Sequence, residues 1–162
     1  MTDQFSMSSF RLDGRVALVT GAGQGLGASI SMAYAKAGAS VVLLGRTESY
    51  LQETADFIRQ DGGEASVIVC DVTDDQKLRS SIGGLSRLDI LVNNAGTNFP
   101  EPFLDVSDDH LDTMLNLNVR ACFVAAQSAV QVMLRSADLD EKGACVVNMS
   151  SQMGHVGSPN RT

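Results

Sequence analysis

The 162-residue sequence has no tryptophan, two tyrosines, three prolines and three cysteines, and its twelve basic residues are outnumbered by nineteen acidic ones. Each scarcity removes a class of protein. So few prolines beside fifteen glycines exclude collagen-like and proline-rich low-complexity chains. The net charge of −7 argues against a nucleic acid or an anionic membrane as the main partner, because both need a basic face. Cys70, Cys122 and Cys145 are odd in number and far apart, which argues against a disulfide framework. Each stands inside an apolar run, so buried free thiols in a reducing compartment are expected. No stretch approaches the roughly 18 apolar residues of a membrane span. Residues 1–9 lack the basic start and apolar stretch of a secretory leader, so they read as a flexible N-terminal tail and the location as cytoplasmic. His155 has no second ligand at metal spacing; it and His110 read as surface or loop residues, and no metal site is expected.

What remains is ordinary for one α/β domain spanning residues 1–162, with 44% hydrophobic and 19% charged residues. Apolar runs at 15–20, 40–44, 65–70, 88–92 and 144–149 predict five strands. Amphipathic stretches at 26–36, 48–60 and 74–82 predict helices between them, and one long helix is predicted from an N-cap at Ser107 to about Arg135. Runs that are apolar on both faces imply a parallel sheet covered by helices on each side.

The first strand runs into Thr20-Gly21-Ala22-Gly23-Gln24-Gly25-Leu26-Gly27, which opens the first helix. Glycines at 21, 25 and 27 allow a tight turn, a close approach to pyrophosphate and close packing of helix on strand. The helix N-terminal amides then face the phosphate charge. In this strand-turn-helix context the segment reads as a Rossmann-type site for a nicotinamide dinucleotide, a ligand-free glycine turn being the competing reading. At the end of the second strand, an acidic residue would bond the adenosine ribose hydroxyls. Gly45-Arg46 stands there instead. A guanidinium pairs with a 2′-phosphate and stacks on adenine, which favours NADP(H) with NAD(H) as the alternative, unless Arg46 is simply a solvated surface residue.

Asp71, past the third strand, is placed to accept from the adenine amino group or to cap the next helix. Asn118 falls on the apolar stripe of Leu111, Met114, Ala121, Cys122, Ala125, Ala129 and Val132. A buried carboxamide needs partners, either backbone and water or an active site. Ser150 and Ser151 lie just past the fifth strand, at the carboxyl edge where open α/β sheets bind ligands.

The glycine turn, Asn93-Asn94-Ala95-Gly96, the Asn118 helix and Val147-Asn148-Met149-Ser150-Ser151 lie in an order and spacing that resembles the short-chain dehydrogenase/reductase family over nearly the whole chain. The resemblance implies a doubly wound parallel sheet with helices on both faces, five of the usual seven strands being present. It implies an oxidoreductase that interconverts a small-molecule alcohol and a ketone by hydride transfer with NADP(H) or NAD(H), on a gluconate-type or 3-oxoacyl-type substrate. Ser151, with Ser150 the weaker candidate, would orient the substrate carbonyl, and Asn118 would fix a relay water. Gly21, Gln24, Gly25, Leu26, Gly27, Asp71, Val72, Asn93, Ala95 and Gly96 would contact the cofactor beside Arg46, and the Asn93 segment would also brace the sheet. The family's Tyr-x-x-x-Lys belongs beyond Ser151, and Thr162 comes before it; Tyr34 and Tyr50 stand in the wrong segments. The domain is therefore expected to be C-terminally incomplete, with an exposed edge on its fifth strand. The 162 residues alone are expected to be inactive, or to form a nucleotide- or partner-binding remnant. A homodimer or homotetramer through the Asn118 helix is implied for the full-length protein.

Overall fold

The computed structural model describes residues 10–157; the expected tail at 1–9 lies outside them. The five apolar runs form one parallel sheet of β1 (Val16–Thr20), β2 (Ser40–Gly45), β3 (Glu64–Val69), β4 (Ile90–Asn93) and β5 (Cys145–Asn148). Their order is β3-β2-β1-β4-β5. From β1 the chain winds outward to β2 and β3, then returns to place β4 on the other side of β1. The order thus reverses between β1 and β4, and the crevice at their carboxyl ends is where such sheets take ligands.

The helices are α1 (Gly25–Lys36), α2 (Glu48–Gln60), α3 (Asp75–Gly83), α4 (Asp108–Leu115), α5 (Ala121–Met133) and the short α6 (Leu139–Lys142), which periodicity did not reveal. Alternation along the central strands sorts side chains to two cores. Leu18, Leu44 and Leu91 pack on one face with Leu78 and Ile82 of α3 and Val124, Ala125 and Ala129 of α5. Val19, Leu43 and Val92 pack on the other with Leu51, Ala55 and Ile58 of α2. Each fully buried leucine contributes about 1.5–3 kcal/mol of transfer free energy, so this double layer dominates the stability.

Two expectations need correction. The long helix from Ser107 is interrupted by a π turn at Asn116–Arg120. A π turn inserts an extra residue per turn and rotates everything upstream by about 100°, so one 3.6-residue stripe cannot run through it. Below the turn Ala121, Ala125, Ala129 and Val132 are buried as expected, but Leu111 is 45% exposed and Asn118 is exposed. The cysteines differ as well: Cys70 is buried, Cys122 half-buried and Cys145 exposed, because β5 is an edge strand of the described sheet.

Opposite the crevice, Asp89 is 3% exposed and accepts from Val16 N at 2.8 Å and from Arg87 Nε and Nη2 at 2.8 and 2.7 Å. Arg15 lies 3.6 Å away. Arg87 also reaches Asp138, which Lys142 pairs at 2.8 Å, so one ionic network ties β1 and β4 to α6.

Candidate functional site

At the end of β1 the chain turns through Gly21 (φ 64°) and Gly25 (φ 56°), a left-handed geometry that glycine adopts without strain. A Cβ on Gly27 would strike the Gly21 carbonyl oxygen and lie 2.6 Å from Asn94 Nδ2, so only glycine lets α1 start this close to β1. Gln24, the residue before α1, is extended and makes no side-chain cap, and the first turn carries no acidic residue. The unpaired amides and positive dipole end of α1 therefore remain available. A Cβ on Gly25 would meet nothing within 4 Å. The turn is an open cradle with uncapped helix amides, the arrangement that takes phosphate groups at helix N-termini.

The cradle is braced from β4. Thr20 Oγ1 accepts from Asn94 N and Ala95 N, each at 3.0 Å, and Asn94 Nδ2 donates to the Thr20 and Gly21 carbonyls at 2.9 and 3.3 Å. Asn93, 2% exposed, points the other way and donates to the Cys122 carbonyl at 3.2 Å and to Asn148 Oδ1 at 2.9 Å.

A cleft of about 350 Å³ opens from this turn across the ends of β2, β3 and β4. Of the residues singled out from sequence, Gly21, Gln24, Gly25, Arg46, Asp71, Val72, Ala95 and Gly96 line it. Leu26, Gly27 and Asn93 do not: Leu26 is 68% exposed, Gly27 packs on the turn and Asn93 braces the sheet. Tyr50, Cys70, Asn94 and Leu117 also line the cleft, though none of them was read from sequence as a cofactor contact. For Asn94 the signal was its place beside Asn93 in the motif; Tyr50 and Leu117 arrive by tertiary packing.

Arg46 is exposed, and among the described residues no hydrogen bond or close ion pair engages its guanidinium. Asp71 Oδ1 accepts from Thr73 N at 2.9 Å and Thr73 Oγ1 at 2.8 Å. Burial pushes this carboxyl up, but the two Thr73 bonds and the charge of Arg46 outweigh it and hold it below the ordinary aspartate value. The helix-capping alternative for Asp71 is corrected, since Asp74 caps α3 by accepting from Lys77 N at 3.0 Å.

Asn118 and Ser151 both stand at the carboxyl edge but outside the cleft lining. Asn118 Oδ1 accepts from Thr97 N at 2.9 Å and its Nδ2 donates to Thr97 O at 2.8 Å. Ser151 Oγ accepts from Met153 N at 3.2 Å. A second groove, of about 610 Å³, lies between α1 and α2 at Met32, Ala35, Phe57 and Gly63, away from the strand carboxyl ends. Among the described residues no group of three or more His, Cys, Asp and Glu is placed to hold a metal ion, and no helix is long and apolar enough to cross a membrane.

A parallel sheet whose order reverses at an open glycine cradle defines a doubly wound α/β domain with a ligand crevice at its switch point. Its family is equally plain: the chain belongs to the short chain dehydrogenase family, which matches it over residues 15–162. L-xylulose reductase of Bos taurus is 37% identical over 154 residues, covering 94% of this chain and 59% of that one. The fold is similar to that of a candidate NAD(P)-dependent gluconate 5-dehydrogenase from Beutenbergia cavernae solved with bound NADP, at a TM-score of 0.84 and 35% identity over 94% of this chain and 60% of that one. It is similar also to a 7α-hydroxysteroid dehydrogenase solved with NADH and 7-oxo glycochenodeoxycholic acid, at a TM-score of 0.86 and 34% identity over 96% and 60%. The chain spans 58% of the length of the first curated relatives it matches. The five-stranded parallel sheet is the Rossmann-type arrangement of these structures, and the family binds NAD(P).

Proposed function

We propose that this chain is the cofactor-binding part of an NADP(H)-dependent oxidoreductase that interconverts a small alcohol and its ketone by hydride transfer. The observation that carries the reading is the uncapped N-terminus of α1 opening on a cleft whose β2 wall ends in Arg46, unpaired among the described residues. The α1 amides and the turn from Gly21 to Gly27 would hold the pyrophosphate. Asp71 and Val72 would face adenine, Ala95 and Gly96 would floor the adenosine side, and Leu26 would lie toward the nicotinamide end. Arg46 would pair with the 2′-phosphate, where a carboxylate would repel it. Bound there, the dinucleotide supplies or accepts the hydride.

Ser151 accepts from Met153 N–H, which leaves its own proton to donate to a substrate carbonyl at the sheet edge. The Asn118 side chain is committed to Thr97 at both of its polar atoms, so its contribution is to fix the loop after Gly96. A homodimer or homotetramer is supported by the exposure of Leu111 and Leu115 on α4, Val119 in the π turn and Phe123 on α5. The buried free thiol of Cys70 fits a reducing, cytoplasmic setting.

Titrating the protein with NADPH and NADH by nucleotide fluorescence tests the cofactor half. NADPH should bind more tightly, and Arg46→Asp should move the preference toward NADH by about tenfold or more. An unchanged ratio rejects the assignment. NADPH oxidation on a panel of ketones tests the other half, using a chain that extends to a Tyr-x-x-x-Lys if the reading frame beyond Thr162 encodes one. Absence of that motif from the coding sequence counts against the enzymatic reading.

A further inference from the structure

The loop from Asn94 to Ser107 joins the cleft wall to α4, and it is held at three places. Thr20 holds its first two amides, Asn118 holds Thr97, and His110 holds the middle. His110 lies in the first turn of α4, where Ser107 Oγ accepts from its backbone N–H at 3.2 Å. It is therefore a helix residue rather than a loop residue, and its side chain stays at the surface, 42% exposed, as expected from sequence. Its Nδ1 faces both oxygens of Glu101, at 2.9 and 3.1 Å. Its ring lies flat on Phe99, with centroids 4.1 Å apart and planes within 5°. The Glu101 side chain is 19% exposed and that of His110 42%, so the carboxylate is the shielded partner of the pair. One imidazole thus holds two loop residues that are themselves two positions apart.

We propose that His110, Glu101 and Phe99 form a proton-sensitive latch that fixes the loop continuing from Ala95 and Gly96, and so positions the floor of the cleft. The proposal rests on the reading of that cleft as a dinucleotide site. Imidazole is the side chain that changes charge around physiological pH. Neutral, it gives Glu101 one hydrogen bond; protonated, it adds an opposite charge, and charge-assisted bonds are roughly twice as strong. A cationic ring also gains from the face of Phe99. The charged groups beside the ring are Glu101, the Asp108 and Asp109 carboxylates of the ring's own turn, and the positive end of the α4 dipole. Against the Glu101 carboxylate a proton on the ring turns a neutral hydrogen bond into an ion pair and so tightens the latch. The loop is firm on the acid side and loosens as pH rises.

Backbone hydrogen exchange over residues 97–106, corrected for intrinsic rates, reads the latch without nucleotide. Protection should be about two- to fivefold greater near pH 5.5 than near pH 8.5. His110→Asn, which keeps a donor near the Nδ1 position but cannot charge, should retain part of the protection and lose its pH dependence. His110→Phe and Glu101→Gln should lose the dependence too, and exchange in β1 and β4 on the same samples distinguishes this from unfolding. Equal protection at both pH values, or a dependence that survives His110→Phe and Glu101→Gln, overturns the latch. In parallel, the Kd for NADPH should rise with pH more steeply in the wild type than in His110→Phe. Matching slopes overturn the coupling to the cleft, whereas absence of NADPH binding at either pH overturns the dinucleotide reading itself.

Discussion

Thr20 and Asn94 clasp each other twice: the Thr20 hydroxyl accepts the Asn94 backbone N–H at 3.0 Å, and the Asn94 side-chain amide donates to the Thr20 carbonyl at 2.9 Å. The two residues stand at the carboxyl ends of adjacent central strands, so the clasp fixes the width of the crevice between them. Because Ala95 N also depends on that hydroxyl, Thr20→Val keeps the shape and strands two partly buried donors. It should cost about 2 kcal/mol in urea denaturation. Thr20→Ser, which restores the hydroxyl, should recover most of it and most of the NADPH affinity.

Close approach of α1 to β1 predicts a sharp contrast between two glycines. Gly27→Ala places a methyl on the Gly21 carbonyl oxygen and must push the helix outward. A loss of about 1–3 kcal/mol and of NADPH binding is expected from melting curves and fluorescence titration. Gly83→Ala, at the last residue of α3 with nothing within 4 Å, should be neutral or stabilise by about 0.5 kcal/mol. Equal effects would contradict the packing described for the turn.

The ionic network at the amino end of the sheet should make the fold acid-sensitive. Burial raises the Asp89 carboxyl, but Arg87, the Val16 N–H and Arg15 together hold it below the ordinary aspartate value. A carboxyl depressed in the folded state stabilises above its unfolded value of about 3.9 and loses that contribution as pH falls through the folded value. Asp138 is lowered as well, first by Lys142 and then by Ser136 and Arg87. Asp89→Asn should cost roughly 2–3 kcal/mol at neutral pH. It should also flatten the fall in stability below about pH 4, measured by denaturant midpoints across pH.

Thiol reactivity should follow exposure and burial. Burial raises the thiols of Cys70 and Cys122 above their ordinary value, reducing the reactive thiolate, whereas Cys145 is exposed on the edge strand. Labelling of the native 162-residue chain with a chromogenic disulfide, followed by mass mapping, should modify Cys145 first and Cys70 last. Early modification of Cys70 would mean that the β3–α3 junction opens far more readily than its packing implies.

The strands and most helices were legible because each depends on neighbouring residues. The span of α2 at 48–60 and the Ser107 cap of α4 follow from apolar spacing and one capping hydroxyl. The site was legible in part: Arg46, Asp71 and the glycines reach the cleft because they stand at strand ends, where this topology collects ligands. Asn118 was misplaced, because a π turn changes the period of a helix without an unmistakable mark in composition. Cys145 was misplaced because its apolar run was read as burial, although the exposed edge expected of the fifth strand applies to this residue too. His110 was passed over because Glu101 is nine positions away, outside any local pattern.

By itself the sequence determined the α/β alternation, the glycine cradle and the cation at the end of β2, since these need only the order of residues along a few turns of chain. The tertiary structure alone decided which polar groups would meet: Thr20 with Asn94, Asp89 with Arg87 and Val16, Asn118 with Thr97, and His110 with Glu101 and Phe99. Most of these are short-range forces acting between residues far apart in the chain, so they come into being only when burial of the two apolar faces brings the strand ends together.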